Sequence, residues 1–502
     1  MWMIRKGKIG WLVALGIALA VTGHSGSSGA TEGDTETLRI GVPLIPTTLD
    51  PGQNSSGTQI GIMQLISGTL TVLDQDGNNV RMGLAESVTP DGDVRYIVKL
   101  KSGLKFSDGS ALTAADVEAS FEHYINDQTT WATYAFAPIS KVTATDNLTV
   151  IFYLKQPYAS LPFILAYSTS AIIPSKSIEA KGKDLYKGTP LPAAGQFEVQ
   201  SFAQDQITLQ ANPNFAGPQL STKTLVFKKI VDATARIAQV QAGEIDFADV
   251  ISPKQVGRLS PPVEVRTARN VIGTHFLHLN NRGNSVLSDV RIRQAIAVAI
   301  DRKQINQVAN AGRNEPALGL FASSSKYYVP FLSADPNSQR AKELLTGTQC
   351  ANGCQLRLIV GSGSAEDGDT AIVVQQNLKA IGIQADIVMA DSATTLKWSE
   401  DGNFDIYVTG SYEFSDSPDL YTSSDWVLGP GHTGYSSPEM KQLVRQLGVA
   451  TGTSRHQAAD KVNALFEKDL PYIPTVEYAV ISASRVSSER FHTGSTYLYY
   501  VK

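Results

Sequence analysis

The sequence predicts an α/β protein of more than one domain, on three observations. The chain has 502 residues, which exceeds what one small domain needs. Residues 355–410 alternate between strand-like and helix-like apolar patterns, the mark of an α/β layer with some parallel pairing. Residues 94–126 read as an alternating strand followed by a capped amphipathic helix.

The elements follow in order. Residues 37–42 alternate as a short strand, and Pro43, Pro46 and Pro51 then interrupt regular structure. Asp91-Gly92-Asp93 forms the turn that opens the next strand. There Val94, Tyr96, Val98 and Leu100 share one face, and Arg95, Lys99 and Lys101 point away. A helix is expected over 113–126, with Thr113 and Asp116 spaced as a capping box and Val117, Phe121, Tyr124 and Ile125 as its apolar stripe. A second helix is expected over 289–301, with Asp289 at the positive end of its dipole and Ile292, Ala295, Ile296, Ala299 and Ile300 inward. In the alternating region the expected elements are strand 356–360, helix 370–381 ended by Gly382, strand 384–389, helix 393–399 and strand 404–409. A late helix over 455–469 turns Ala458, Val462, Leu465 and Phe466 inward, and Pro471 and Pro474 close it.

Charge and cysteine content restrict the function. The chain holds 43 basic and 47 acidic side chains, net −4. Arg5, Lys6 and Lys8 stand in the first thirty residues without an acid, so the remainder carries 40 against 47, or −7. A generally basic nucleic-acid surface is excluded. Residues 9–21 form an apolar run of thirteen, short of the roughly 20 needed to span a bilayer. With the basic residues before it, and Ser28 and Ala30 as small residues after it, the run reads as a signal peptide over 1–30 cut before Thr31. Val21-Thr22-Gly23-His24 resembles a lipoprotein box with His in the place of the lipidated Cys. The mature protein is therefore expected to be exported, periplasmic or cell-surface associated, and soluble. Cys350 and Cys354 are expected to form a local disulfide across a tight turn in an oxidising compartment, where so short a loop gives little stabilisation.

Catalytic chemistry is not visible. The sequence has no H-E-x-x-H, G-x-S-x-G or P-loop motif, and its seven His are scattered. No metal site or cofactor is expected. His275 and His278 fall on a strand near 274–280 and face opposite sides, one buried and one exposed. The aromatic residues carry more information. Trp131 and Tyr134 follow the capped helix. Tyr412, Phe414, Tyr421 and Trp426 lie in an irregular stretch that also holds Glu413, Asp416, Asp419 and Asp425. Aromatics beside carboxylates on loops at strand ends suit a small-molecule cleft. The candidate ligand-binding residues are Tyr412, Glu413, Phe414, Asp416, Trp426, Trp131 and Tyr134. Two or three of these aromatics are expected to contact ligand, and core packing accounts for the others.

Several ordered strings resemble a known family. Gly83-Leu84-Ala85-Glu86-Ser87 is followed by Gly103-Leu104-Lys105-Phe106-Ser107-Asp108-Gly109 and Thr113-Ala114-Ala115-Asp116-Val117. Later come Ala242-Gly243-Glu244-Ile245-Asp246, Leu279-Asn280-Asn281, Asp289-Val290-Arg291-Ile292-Arg293-Gln294-Ala295-Ile296, Ile300-Asp301-Arg302 and Ala341-Lys342-Glu343-Leu344-Leu345. From about residue 37 to the C-terminus the chain resembles the family 5 extracellular solute-binding proteins, receptors of peptide, nickel and opine ABC importers. The resemblance implies a two-lobed periplasmic-binding-protein fold (type II, cluster C-like) with an extra α+β domain. By analogy lobe I takes 31–72, 185–275 and 479–502, the extra domain 73–184, and lobe II 276–478. It implies a monomeric receptor, not an enzyme, that captures peptides between closing lobes and delivers them to an ABC permease and its ATPase. The alternative solutes are a nickel chelate, an opine or an oligosaccharide; an exported hydrolase is the remote alternative. Peptide receptors carry an Asp four residues before the Pro of the acidic stretch, where it holds the peptide's ammonium. Here Phe414 occupies that place before Pro418, with Glu413 and Asp416 as the nearby acids.

Overall fold

The computed structural model describes residues 36–54, 56–126, 136–413 and 415–502. The expected signal peptide over 1–30, Trp131, Tyr134 and Phe414 lie outside the described residues. A sheet of ten strands organises the molecule. In chain order these are β1 (Thr37–Val42), β2 (Phe197–Phe202), β3 (Gln206–Ala211), β4 (Thr224–Lys229), β5 (Phe247–Ala248), β6 (Glu264–Leu279), β7 (Cys354–Gly361), β8 (Ile383–Ala390), β9 (Ile406–Ser411) and β10 (Tyr472–Ser484). Across the sheet the order is β8-β7-β9-β6-β10-β5-β1-β4-β3-β2.

The two long strands at the centre, β6 and β10, belong to both halves. Residues 264–269 of β6 pair with 479–484 of β10, next to β5 and β1. The ladder then breaks and resumes with Thr274 opposite Glu477, now flanked by β9. Between the two stretches β6 advances five residues while β10 advances two, so β6 bulges at 270–273. Apolar packing divides at the same place. One core runs from Val271 to Val476; others hold Leu38, Phe197, Phe227 and Val501, and Ile237, Val240 and Ile481. These cores, lying on either side of the break and joined by the two strands, make the two lobes.

The second lobe contains the α/β layer that its pattern predicts. β7 is parallel to both β8 and β9. The helix between β7 and β8 spans Ala365–Ala380 and begins earlier than expected. Ser364 caps it by accepting from the Asp367 amide, and Glu366 and Asp367 occupy its first turn, which a positive helix end favours. The strand expected over 404–409 lies two residues later, at Ile406–Ser411. Cys350 and Cys354 are disulfide-bonded with Cα atoms 4.9 Å apart.

The additional α+β unit has an antiparallel sheet of Ala85–Pro90, Arg95–Leu100, Thr149–Leu154 and Ile139–Ala144. The helix Ala114–Asn126 lies on it, and Phe121 meets Phe152 and Phe136 edge-on at 4.9 and 5.6 Å. Its cap is one-sided. The Asp116 carboxylate accepts from the Thr113 amide at 2.8 Å and from the Thr113 hydroxyl at 3.1 Å. Its other oxygen accepts from the amide and hydroxyl of Ser175, so one carboxylate caps a helix and fastens a second segment.

One expectation changes. Pro474 closes no helix: it lies inside β10 opposite Phe276, at a second register shift where an amide is not needed. Arg293 is buried on carbonyls, donating to Leu470, Leu287 and Ser288. Among the described residues no helix is long and apolar enough to cross a membrane.

Candidate ligand-binding site

After β9 the chain leaves the sheet at Ser411 and runs irregularly to the short helix Pro418–Ser423. Residues of this strip face a cavity of about 600 Å³, within the range of small-molecule sites. The opposite wall comes from the additional unit: Pro157, Tyr158, Ile164 and Tyr167. The strip supplies Glu413, Asp419, Leu420 and Trp426, and the helix Pro438–Val449 supplies Val444 and Arg445.

The polar groups of the cavity are few and distinct in role. The Tyr167 hydroxyl donates to the Glu413 carboxylate at 3.3 Å and lies 3.0 Å from the Ser415 hydroxyl. Burial, then the Glu413 charge, pushes the Tyr167 hydroxyl well above its ordinary range, so it remains a donor. Burial acts likewise on Tyr158, followed by Asp419 and Glu413. Asp419 is committed: it pairs with Arg455, both nearly inaccessible, and accepts from Ser160 at 2.7 Å. Arg445 lines the cavity from an exposed position and forms no ion pair with a described carboxylate.

The walls are also joined directly. The Ala159 amide donates to the Gly448 carbonyl at 2.9 Å. Arg455 donates to the hydroxyls of Ser160, Ser417 and Tyr327, gathering the additional unit, the strip and the late helix Gly452–Asp469 around one guanidinium.

The expected site residues divide on inspection. Glu413 and Trp426 line the cavity. Trp426 is fixed by its indole N–H donating to the Gly410 carbonyl at 3.0 Å. It also packs on His432 and His278. Tyr412 turns to the other side of the strip, against Tyr478 and Tyr497 with ring centroids 4.9 and 5.0 Å apart. Asp416 is 1% exposed and absent from the cavity wall. Its oxygens accept from the Ser325 hydroxyl at 2.6 Å and the Lys326 amide at 3.1 Å, which makes it a tie within the lobe. Trp131, Tyr134 and Phe414 cannot be placed, lying outside the described residues. Tyr158, Tyr167 and Arg445 were not anticipated, because nothing local marks them as facing a strip more than 200 residues away or, for Arg445, as lying at a rim.

Of the two histidines one is buried as expected, while the other is half-buried rather than exposed. His278 is fully buried, with Nε2 2.7 Å from the Trp426 carbonyl. His275 stacks on Tyr478 at 4.4 Å. Among the described residues no group of three or more His, Cys, Asp or Glu could hold a metal ion.

A two-lobed α/β frame with a lined cavity fits capture of a solute. The family model for bacterial extracellular solute-binding proteins, family 5, matches residues 79–434. The chain belongs to that family. The glutathione-binding protein GsiB of Salmonella typhi is 26% identical over 497 residues, covering 94% of each chain. Among solved structures, NikA from Brucella suis in complex with Fe(III)-EDTA has a TM-score of 0.81 at 20% identity, covering 93% of this chain and all of that one. The periplasmic binding protein DppA from Helicobacter pylori, in complex with the peptide STSA, has a TM-score of 0.77 at 20% identity and covers 93% and 98%. These family 5 likenesses establish the fold and the solute-binding class.

Proposed function

We propose that this receptor captures small peptides between its lobes and hands them to an ABC importer permease driven by its ATPase. The observation that carries the reading is the pairing of opposite charges in one aromatic-walled cavity. Glu413 offers a carboxylate to an α-ammonium, and Arg445 offers a guanidinium to a carboxylate. Tyr158, Tyr167 and Trp426 cover the apolar body between them. The likeness to glutathione- and peptide-binding relatives supports the same class. Affinity at the micromolar level needs about 8 kcal/mol net, within reach of such a site. The receptor acts without turnover, as a monomer, exported by cleavage before Thr31. The lobe limits proposed are 31–72, 185–275 and 479–502 for lobe I, 73–184 for the additional domain and 276–478 for lobe II.

The second reading is a non-peptide solute such as a metal chelate, an opine or an oligosaccharide. It is favoured by Phe414, which stands where peptide receptors of this family place their ammonium-binding Asp.

The test is native mass spectrometry of residues 31–502 purified without refolding, then repeated after denaturation, followed by titration with glutathione and with tri- and tetrapeptides. Released masses that differ by amino-acid residues, with one-to-one peptide binding, are expected. A single non-peptide mass, with no peptide binding, overturns the peptide reading and leaves the receptor class.

A further inference from the structure

The bulge in β6 and the ligand strip are tied by one side chain. Asn270 is fully buried at the first residue of the break between Arg269 and Thr274. Its Oδ1 accepts from the amides of Ile272 and Gly273 at 3.1 and 2.5 Å. Its Nδ2 donates to the Glu413 carbonyl at 2.8 Å and to the Ser495 carbonyl at 3.4 Å. One half of the amide therefore shapes the bulge. The other half holds the backbone of Glu413, which lines the cavity. The Ser324 hydroxyl donates to the Asn270 carbonyl at 3.2 Å, which fastens the same residue to the second lobe.

The bulge also meets the strip by close packing. A side chain at Gly273 would stand 2.6 Å from the Ser411 carbonyl oxygen and from Tyr412 Cα, so only hydrogen is accommodated. Residues 270–273 and 411–413 are thus joined both by contact and by hydrogen bond. Ser495 belongs to the C-terminal segment that packs with the first lobe, so the amide bridges both sides of the break.

We infer that Asn270 is the positioning residue of the binding site: its amide sets the place of Glu413 and couples that place to the bulge where the lobes join. The inference rests on the proposed role of Glu413 in ligand binding. Its donor and acceptor halves can be separated by substitution. Asn270→Asp keeps an acceptor for the amides of Ile272 and Gly273 but removes both donors and sets an oxygen against the Glu413 carbonyl. Asn270→Ser reaches neither set of partners.

Two measurements decide it. The first uses unliganded protein: hydrogen–deuterium exchange of peptides covering 271–273 and 411–416. In Asn270→Asp exchange at 411–416 is expected to accelerate at least 10-fold while 271–273 stays within 2-fold. In Asn270→Ser both segments accelerate, and this variant carries the test alone should Asn270→Asp not fold. Unchanged exchange at 411–416 in the folded variants overturns the inference. The second is a double-mutant cycle with glutathione as probe. Asn270→Ser is expected to weaken binding about 10-fold in the natural background and less than 2-fold in a Glu413→Ala background. A 10-fold loss that persists without the Glu413 side chain reduces Asn270 to a structural role and overturns the inference. If the natural protein does not bind glutathione, the peptide reading loses support, and the exchange measurement alone decides the role of Asn270.

Discussion

At the scale of single residues, position relative to the cavity decides which candidate acid meets a ligand. Asp419 is held by Arg455 and Ser160, and Asp416 by Ser325 and Lys326. Glu413 faces the cavity with a tyrosine hydroxyl. Glu413→Gln is therefore expected to weaken a ligand with a free ammonium by 10-fold or more, on the order of the 1.5–3 kcal/mol of a charged hydrogen bond. Calorimetric titration checks this, and the same change at Asp416 should leave affinity within a factor of two. A second prediction concerns pH. Burial holds His278 neutral and lowers its pKa from 6.5 to about 3. Below pH 6.5 the unfolded chain binds a proton that the folded chain excludes. Stability from this group is thus present at neutral pH and falls by about 1.4 kcal/mol per unit as pH drops toward 3. Urea denaturation of His278→Phe at pH 7 and pH 5 should show a loss about 2 kcal/mol smaller than in the natural protein. Asp249, Asp416 and Glu477 act in the opposite sense. Burial raises their pKa values, so their contribution is greatest at low pH and declines as pH rises through the folded values.

At the scale of elements, helix and strand starts were legible where the signal was local. Asp289 accepts from the Arg291 amide at the start of the helix Val290–Ala299, as its place before the apolar stripe indicates. Val117, Phe121 and Tyr124 are buried from the helix Ala114–Asn126, as the period requires. The helix Ala365–Ala380 was foreshortened because Ser364 and the acids after it look like a loop until a cap is recognised. How elements join was not legible. The helix Gly452–Asp469 turns Arg455 into a buried hub for the strip and the additional unit. Removing one partner of a buried pair leaves an unpaired charge, at a cost of about 3–5 kcal/mol. Asp419→Ala is expected to destabilise the fold by that amount in chemical denaturation. Arg455→Met together with Asp419→Leu should recover much of the loss.

For the whole molecule, the question is what changes when the lobes approach. Lys254 pairs with Asp369, and the Ser252 hydroxyl donates to Glu366 at 3.1 Å. These contacts connect the turn Pro253–Arg258 with the start of the helix Ala365–Ala380, across the lobes. Both members of the ion pair keep some solvent exposure, so the pair contributes 0–1 kcal/mol and is screened by salt. Lys254→Ala is expected to weaken ligand binding by less than about 5-fold and to reduce the salt dependence of affinity; titration at two ionic strengths checks it. Ligand at 100 times Kd adds about 2.7 kcal/mol to unfolding, and small-angle scattering should show a smaller radius of gyration as the closed population grows.

By itself the sequence determined the family, the α/β alternation of the second lobe, and a strand and the capped helix of the additional unit. All of these follow from period, caps and ordered motifs within a few tens of residues. It also indicated the acidic, aromatic strip after β9 as the place to look. Only the tertiary structure decided that Glu413 and Trp426 face the cavity while Tyr412 and Asp416 turn elsewhere. It also decided that Tyr158 and Tyr167 form the opposite wall, and that Asn270 reaches Glu413 across a separation of 143 residues. The strip is irregular, so no fixed period assigns its side chains to a face. Contacts between distant segments arise from where the sheet and its bulge place them, and local spacing carries no record of that.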